Sequence, residues 1–501
     1  MSNAQTAYDS LRKELYELYL LRSAAGLLGW DEQTHLPKAG TKHRAEQSAL
    51  LSRILHERFT SPQVGGLIES ISTSELAADP ESDVGANTRE LKRAYLRSTK
   101  IPASLVEEMS KHDVLAQAAW VEARKNKDFA AFAPVLAKTF DLKRQEANCV
   151  GFTQHIYDAL IDDYEPHETT AGAKAVLEGL REPLAALVRK VQASGRKPKK
   201  LAGPFPIDAQ EKFGLLAAQK IGFDLDAGRL DVSVHPFCTG LAPGDTRITT
   251  RYRDDDLTDA LFGVLHEMGH ALYEQGLLKE LHGGMPLGES VSLGIHESQS
   301  RMWENNVGRS RAFWAYFGPI ARQHLPSLNA LSDDELLFAM NEIAPGFIRV
   351  EADETTYNLH ILLRFELETQ LIAGELDVKD LPDAWNARMT KYLGLTPPDD
   401  AVGCLQDIHW SAGLVGYFPT YTLGNLYAAQ FYEQARIDLG DLDAMFAKGE
   451  FAPLLNWLRE KIHRHGRRYT ARQLCRRITG KDLSSDALLR HLNAKVDEFY
   501  S

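Results

Sequence analysis

Cysteine is scarce in this 501-residue chain. Cys149, Cys238, Cys404 and Cys475 stand far apart and form no CxxC pair. That argues against a disulfide framework or a thiolate zinc site and leaves each as a buried apolar thiol. Long apolar runs are lacking too. Charges interrupt every hydrophobic stretch well short of the roughly 20 residues that span a bilayer, so no membrane partner is expected. There is no excess of positive charge either: the formal net charge is −12, which argues against a general nucleic-acid binder. The N-terminal MSNAQTAYDSLRKELYELYL begins polar and becomes an amphipathic helix rather than a signal peptide, so a cytoplasmic protein is expected. The chain shows no internal repeat and no low-complexity tract.

What remains is an ordinary globular composition, 44% hydrophobic and 25% charged, in a chain long enough for a large core. Residues 5–60 read as two helices separated by a turn around Pro37 and Gly40. Residues 72–87 read as a polar loop. Further helices are predicted over 89–96, 104–125 and 129–148. The stretch SGRKPKKLAGPFP at 194–206 is the best linker candidate. Between Gly228 and Arg253 the period changes to alternation, in LDVSVHPF and then in DTRITTRYR, which predicts short strands forming the one sheet. An edge strand there could hold an extended peptide, and a plain structural hairpin is the alternative.

The stretch Asp256 to Glu280 organises the rest. Leu257, Leu261, Val264, Leu265, Met268 and Leu272 recur at the spacing of one buried helix face, with Asp256 as N-cap. The four-residue step from His266 to His270 places two imidazoles one turn apart, able to meet one metal ion. Glu267 stands beside that position without binding it, as a carboxylate must to take a proton from water on the metal. An HExxH string also arises by chance, and a buried histidine is often a satisfied core group. Here, however, three polar groups interrupt an apolar helix, where they need a compensating partner. A divalent cation is the simplest one.

A catalytic site of this kind takes a third protein ligand and leaves a place for water. Glu274, Glu280, Glu289 and Glu297 all qualify by type. Glu297 is preferred because it begins a helical run, HESQSRMWENNVG, with Arg301 and Glu304 following on its face, and a ligand on a helix is better held than one on a loop. Farther on, Arg349, Asp353 and Glu354 fall where burial is expected. Arg349 suits a bidentate bond to a carboxylate, either a ligand's or that of Asp353. Gln406, Asp407, His409, Trp410, Tyr417 and Tyr421 crowd together like a pocket lining. The basic run from Lys461 to Arg477 reads as a solvated helix face, with steering of acidic substrates as the alternative.

Taken together, HPF at 235–237, DTRIT at 245–249, HEMGH at 266–270, HESQ at 296–299, IRVEAD at 348–353 and GCLQDIHW at 403–410 resemble the carboxypeptidase Taq family of metallocarboxypeptidases. GWDEQTHLP, YDALIDDYEP and GYFPTYTLGN agree with it, so the likeness covers essentially the whole chain. The resemblance implies a mainly α, saddle-shaped fold with a deep central groove and one small β-sheet beside the active-site helix. It also implies a homodimer and a single domain over 1–501, helical over residues 1–205, catalytic over residues 206–430 and helical again over residues 431–501. It implies that His266, His270 and Glu297 bind one zinc ion per subunit, with cobalt as a possible substitute, and that Glu267 is the general base. Arg349 would receive a peptide's terminal carboxylate. His235, Asp245, Arg247, His296, Asp353, Gln406 and Tyr417 are the further substrate-binding candidates.

The expected reaction is hydrolysis of the last peptide bond, releasing single amino acids with broad specificity. Tyr421 or His409 would serve as second donor to the oxyanion, with Tyr417 in reserve. The rivals are an endopeptidase or dipeptidyl carboxypeptidase on the same metal helix, an aminopeptidase using Glu351, Asp353 and Glu354, and a silent peptide-binding protein with a structural metal.

Overall fold

A computed structural model describes residues 3–233 and 235–501. The backbone gathers into two compact units, neither continuous in sequence. The first is built from Met1–Thr99, Lys199–Met340 and Phe431–Asp482, and the second from Lys100–Pro198, Asn341–Gln430 and Leu483–Ser501. One crossing falls at 198/199, inside the predicted linker. The other crossings fall at 99/100, 340/341, 430/431 and 482/483, so the segment 206–430 is shared between the units. Among the described residues no helix is long and apolar enough to cross a membrane.

In the first unit, the N-terminal helix Asn3–Thr34 and the helix Thr41–Phe59 flank a short 3-10 turn at Lys38–Gly40, as the proline and glycine there predict. Tyr8, Leu11, Leu15 and Leu18 at helical spacing close a core with Val64, Ile68, Ile71, Leu91 and Met285. The predicted polar loop at 72–87 is shorter than expected. Its end is already helical, within Asp83–Lys100, because Asp83 sits in the first turn, where an acid favours the helix N-terminus.

The sheet of this unit has three strands, β1 (Gly228–Val232), β2 (Cys238–Ala242) and β3 (Asp245–Thr250), in the order β1-β3-β2. β1 runs parallel to β3, with Leu230 opposite Ile248, and β2 runs antiparallel, with Thr239 opposite Arg247. The sequence predicts β1 and β3 but not β2, whose CTGLA lacks the β-branched alternation that marks a strand. HPF lies between strands instead of within one, and Val234 falls outside the described residues.

β3 leads into the metal helix, Leu257–Gly276. Asp256 starts it by accepting from the backbone N–H of Thr258 at 2.8 Å and of Asp259 at 3.3 Å. Its Leu257, Leu261, Val264, Leu265, Met268 and Leu272 are buried. The ligand helix, Leu293–Arg301, is capped by Ser292 and runs straight into a π-helical turn at Met302–Val307. Gly269 lets the two helices touch: a Cβ there would stand 2.6 Å from the Gln299 carbonyl oxygen.

The second unit centres on the helix Glu354–Ala373. Asp353 caps its start and Gly374, at φ 76, ends it. Most of its side chains are buried, among them Arg364 and Glu368, both fully so. The turns from Gly403 to Phe418 lie against it. Trp410 meets Phe140 and Trp385 there, with ring centroids 6.0 and 6.1 Å apart.

Candidate metal centre

The one-turn step in the metal helix sets the rings of His266 and His270 with centroids 4.9 Å apart and nearly perpendicular, at 83°. Glu297 comes from the ligand helix. Its Oε2 lies 3.5 Å from Nε2 of His266 and 3.4 Å from Nε2 of His270, and the donor atoms of all three lie within 4.8 Å of one another. Around a tetrahedral ion with bonds of about 2.0–2.1 Å, donor atoms stand roughly 3.3–3.4 Å apart. The other nitrogen of each ring is already engaged: Nδ1 of His266 is 2.9 Å from Glu304 Oε2, and Nδ1 of His270 is 2.5 Å from Nδ1 of His296.

These contacts decide what the site fits. A carboxylate accepts only, so Glu304 holds a ring proton on His266 Nδ1 and leaves Nε2 as a lone pair facing the Glu297 oxygen. Whatever lies between the two must be positive. A proton would satisfy one such pair, whereas a divalent cation satisfies all three donors at once. Burial and the neighbouring His296 push His270 down to about 3, so it offers a neutral ring. Burial disfavours the charged carboxylate of Glu297, but Arg301 and the two histidines outweigh it and hold its pKa well below the usual range. Arg301 grips the other oxygen, Oε1, at 2.6 Å, which aims Oε2 at the histidines. Burial raises Glu267 to about 7, with His266 pulling the other way and Glu297 and Glu304 adding to the rise. A carboxylate so placed both takes and returns a proton near neutral pH.

Of the four acids open from the sequence, only Glu297 meets the histidines. Glu274 binds His296 and Lys279, Glu289 pairs with Arg22 and Arg467, and Glu280 is exposed. Both ring nitrogens of His296 are engaged by side chains of its own unit, Nδ1 by His270 and Nε2 by Glu274. Asp245 and Arg247 pair with each other at 2.8 and 2.9 Å on β3, and the guanidinium of Arg247 lies 4.5 Å from the ring centre of Trp30. His235 is exposed between β1 and β2.

Within the second unit, Arg349 is buried. Its Nε donates to Asp407 Oδ1 at 3.0 Å and its NH1 to the Tyr357 hydroxyl at 2.8 Å. Asp407 also takes Arg364 on its other oxygen, at 2.6 Å. The internal pair of Arg349 with Asp353, open from the sequence, does not form. Asp353 accepts instead from the backbone of Thr355, Thr356 and Ala344 as a helix cap. Gln406 likewise ties backbone to backbone, accepting from Arg349 N–H and donating to the Phe347 carbonyl.

Glu354 is bound by Lys495 and His491, and Glu351 is exposed, so the acids invoked for an aminopeptidase are dispersed. His409 Nε2 lies 3.2 Å from the Tyr421 hydroxyl, and the Tyr417 ring is 5.4 Å from that of His409. Burial and the two arginines push His409 down to about 3, outweighing Asp407. The basic run at 461–477 is largely paired: Arg464 with Glu460, Arg467 with Glu289, Arg468 with Asp83, and Arg476 with Asp482.

Sequence reasoning missed Arg364 and Glu368, although a charge in each turn of an apolar helix was the available signal. It noted Glu304 on the Glu297 face without its role. The π-helical turn that carries Glu304 to His266 leaves no mark in side-chain spacing.

The profile of the carboxypeptidase Taq (M32) metallopeptidases matches residues 10–496. Thermostable carboxypeptidase 1 of Thermus thermophilus is 45% identical over 99% of both chains, and carboxypeptidase 1 of Bacillus subtilis is 39% identical over 95% of both. The crystal structure of the M32 carboxypeptidase from Deinococcus radiodurans, 40% identical and covering 99% of each chain, superposes with a TM-score of 0.95. With motifs, fold and a three-donor centre in agreement, the chain belongs to the carboxypeptidase Taq (M32) metallopeptidase family and is a metal-dependent carboxypeptidase.

Proposed function

We propose that His266, His270 and Glu297 hold one zinc ion per subunit, with Glu267 as general base, and that the protein removes single residues from peptide C-termini. The observation that carries this reading is the pair of imidazole Nε2 atoms facing one Glu297 oxygen at 3.4 and 3.5 Å. Two imidazoles and a carboxylate suit zinc, and cobalt fits the same donors. A cation bound there supplies Lewis acidity, lowering the pKa of a water from about 15.7 toward about 7 and drawing charge from a carbonyl oxygen.

The chain's own groups do the rest. Glu267 takes a proton from the attacking water on its carboxylate and returns it to the departing amine nitrogen. Arg349 receives the terminal carboxylate: Arg349 and Arg364 share the single acid Asp407, so this buried cluster carries an excess of positive charge that suits an anion. Because every peptide carries that carboxylate, the Arg349 contact itself does not select among side chains at the cleaved residue, in keeping with a broad specificity. Tyr421, held at 3.2 Å by the neutral ring of His409, is the second donor to the oxyanion, and Tyr417 packs beside both. The working form is a cytoplasmic homodimer, which sedimentation of the purified protein checks.

Glu267→Gln should keep one cation per chain by elemental analysis and lose about 10²–10⁴-fold in turnover. Normal turnover would remove the proposed base. Mass spectra of a digested long peptide should show a ladder of single C-terminal losses that C-terminal amidation blocks; released dipeptides or internal cuts would favour the rival peptidases.

A further inference from the structure

The two metal-facing imidazoles are supported in different ways. His266 has a carboxylate, Glu304, directly on its Nδ1. His270 has another imidazole there, and the carboxylate comes one step later. Nδ1 of His270 is 2.5 Å from Nδ1 of His296, and Nε2 of His296 is 2.8 Å from Glu274 Oε1. Lys279 occupies the second oxygen of Glu274. The side chains of His270, His296, Glu274 and Lys279 are all at most 16% exposed. The ring of His296 lies between those of His270 and Tyr273, with centroids 4.5 and 5.3 Å away. Strand β2 closes over the outer end: a Cβ on Gly240 would stand 2.1 Å from Glu274 Oε2 and 2.6 Å from Lys279 Nζ.

A cation on Nε2 of His270 would fix the donor and acceptor roles along this chain. Only one of the two facing Nδ1 atoms can carry a proton. Glu274 accepts only, so Nε2 of His296 donates to it, and a His296 ring carrying that single proton presents Nδ1 as an acceptor. His270 must then carry its own proton on Nδ1. That leaves Nε2 of His270 as a lone pair directed at Glu297, the state a cation ligand requires. Reversing the first bond reverses the last. If His296 kept its proton on Nδ1, the His270 proton would be driven to Nε2, where it would occupy the place of the cation.

We propose that Glu274 is a positioning residue which, acting through His296, holds His270 in the tautomer that binds the divalent cation. This rests on the metal centre proposed above. Lys279 sharpens the test. In Glu274→Gln the amide oxygen would stay with Lys279 and the amide NH2 would face His296, donating where the carboxylate accepted.

Metal-free protein reloaded with zinc against a chromophoric chelator reads the effect without any substrate. Glu274→Gln should weaken zinc binding by about 10–100-fold, and His296→Phe by a similar factor. In the His296→Phe background, Glu274→Gln should cost nothing further, since its route to His270 is gone. Circular dichroism and the melting temperature of the metal-free forms separate this from a general loss of fold. Zinc affinity within twofold of the unaltered protein in Glu274→Gln would overturn the relay, as would additive losses in the double variant. If the unaltered protein itself fails to take up one zinc per chain, the metal centre falls and the relay with it.

Discussion

Burial makes the state of an ionisable side chain depend on the few groups that touch it, and Glu368 shows this away from the metal centre. It accepts from the Tyr157 hydroxyl at 2.6 Å, from Trp410 Nε1 at 2.7 Å and from the backbone N–H of Gly416 at 3.2 Å. It thereby pins both ends of the segment that carries His409 and Tyr417. Burial nevertheless outweighs these donors and raises it to about 7. Between about 4.5 and 7 the folded chain therefore holds this proton more tightly than the unfolded chain. The stability it contributes is complete below the unfolded value and declines as pH rises through the folded one, by roughly 3 kcal/mol. Glu368→Gln cannot titrate, so its melting-temperature deficit against the unaltered protein should shrink from about pH 5 to about pH 8. A deficit that does not change with pH would show that Glu368 is ionised throughout.

At the scale of elements, the site depends on two helices meeting more closely than side chains allow. Gly269, inside the HEMGH stretch, faces the ligand helix so that an added Cβ would lie 2.6 Å from both the Gln299 carbonyl oxygen and Ser300 Cα. Backbone cannot step aside as a side chain can. Gly269→Ala should move the ligand helix outward, carry Glu297 away from the imidazoles, and weaken cation binding about tenfold or more, with overpacking that costs about 1–3 kcal/mol. Gly263→Ala on the same helix, where a Cβ would meet only the Thr250 hydroxyl at 3.3 Å, should change affinity little. Equal affinities for the two variants by chelator competition would show that the close approach does not matter. The π-helical turn after Arg301 acts at the same scale, since it brings Glu304 to within 2.9 Å of His266 Nδ1.

For the whole molecule, a cation bound only by the folded chain stabilises it by mass action. At a free concentration about 100 times its dissociation constant the gain is about 2.7 kcal/mol. Calorimetry should therefore show a lower melting temperature with chelator than without it, and Glu297→Ala should abolish the difference. Persistence of that difference in the variant would assign the stabilising cation to another place.

The helical class, the metal helix and its cap were legible because they follow from neighbours within one or two turns: an apolar stripe, an aspartate before it and a four-residue histidine step. Six ordered motifs made the family legible. Local spacing gave only a preference for Glu297 among four acids, to which the resemblance added; the close approach of its helix at Gly269 is what brings its carboxylate to the imidazoles. Partners far along the chain were out of reach for the same reason. Arg349 finds Asp407, 58 positions away, in place of Asp353 four positions on, because Asp353 is drawn to the open N–H groups of the helix it caps. The sequence by itself therefore determined which groups can carry the chemistry, since residue type and local spacing are covalent facts. Which nitrogen faces the cation, and which acid stands behind each ring, were decided only by tertiary packing, because a hydrogen bond is set by distance in space and many residues of each type compete for it.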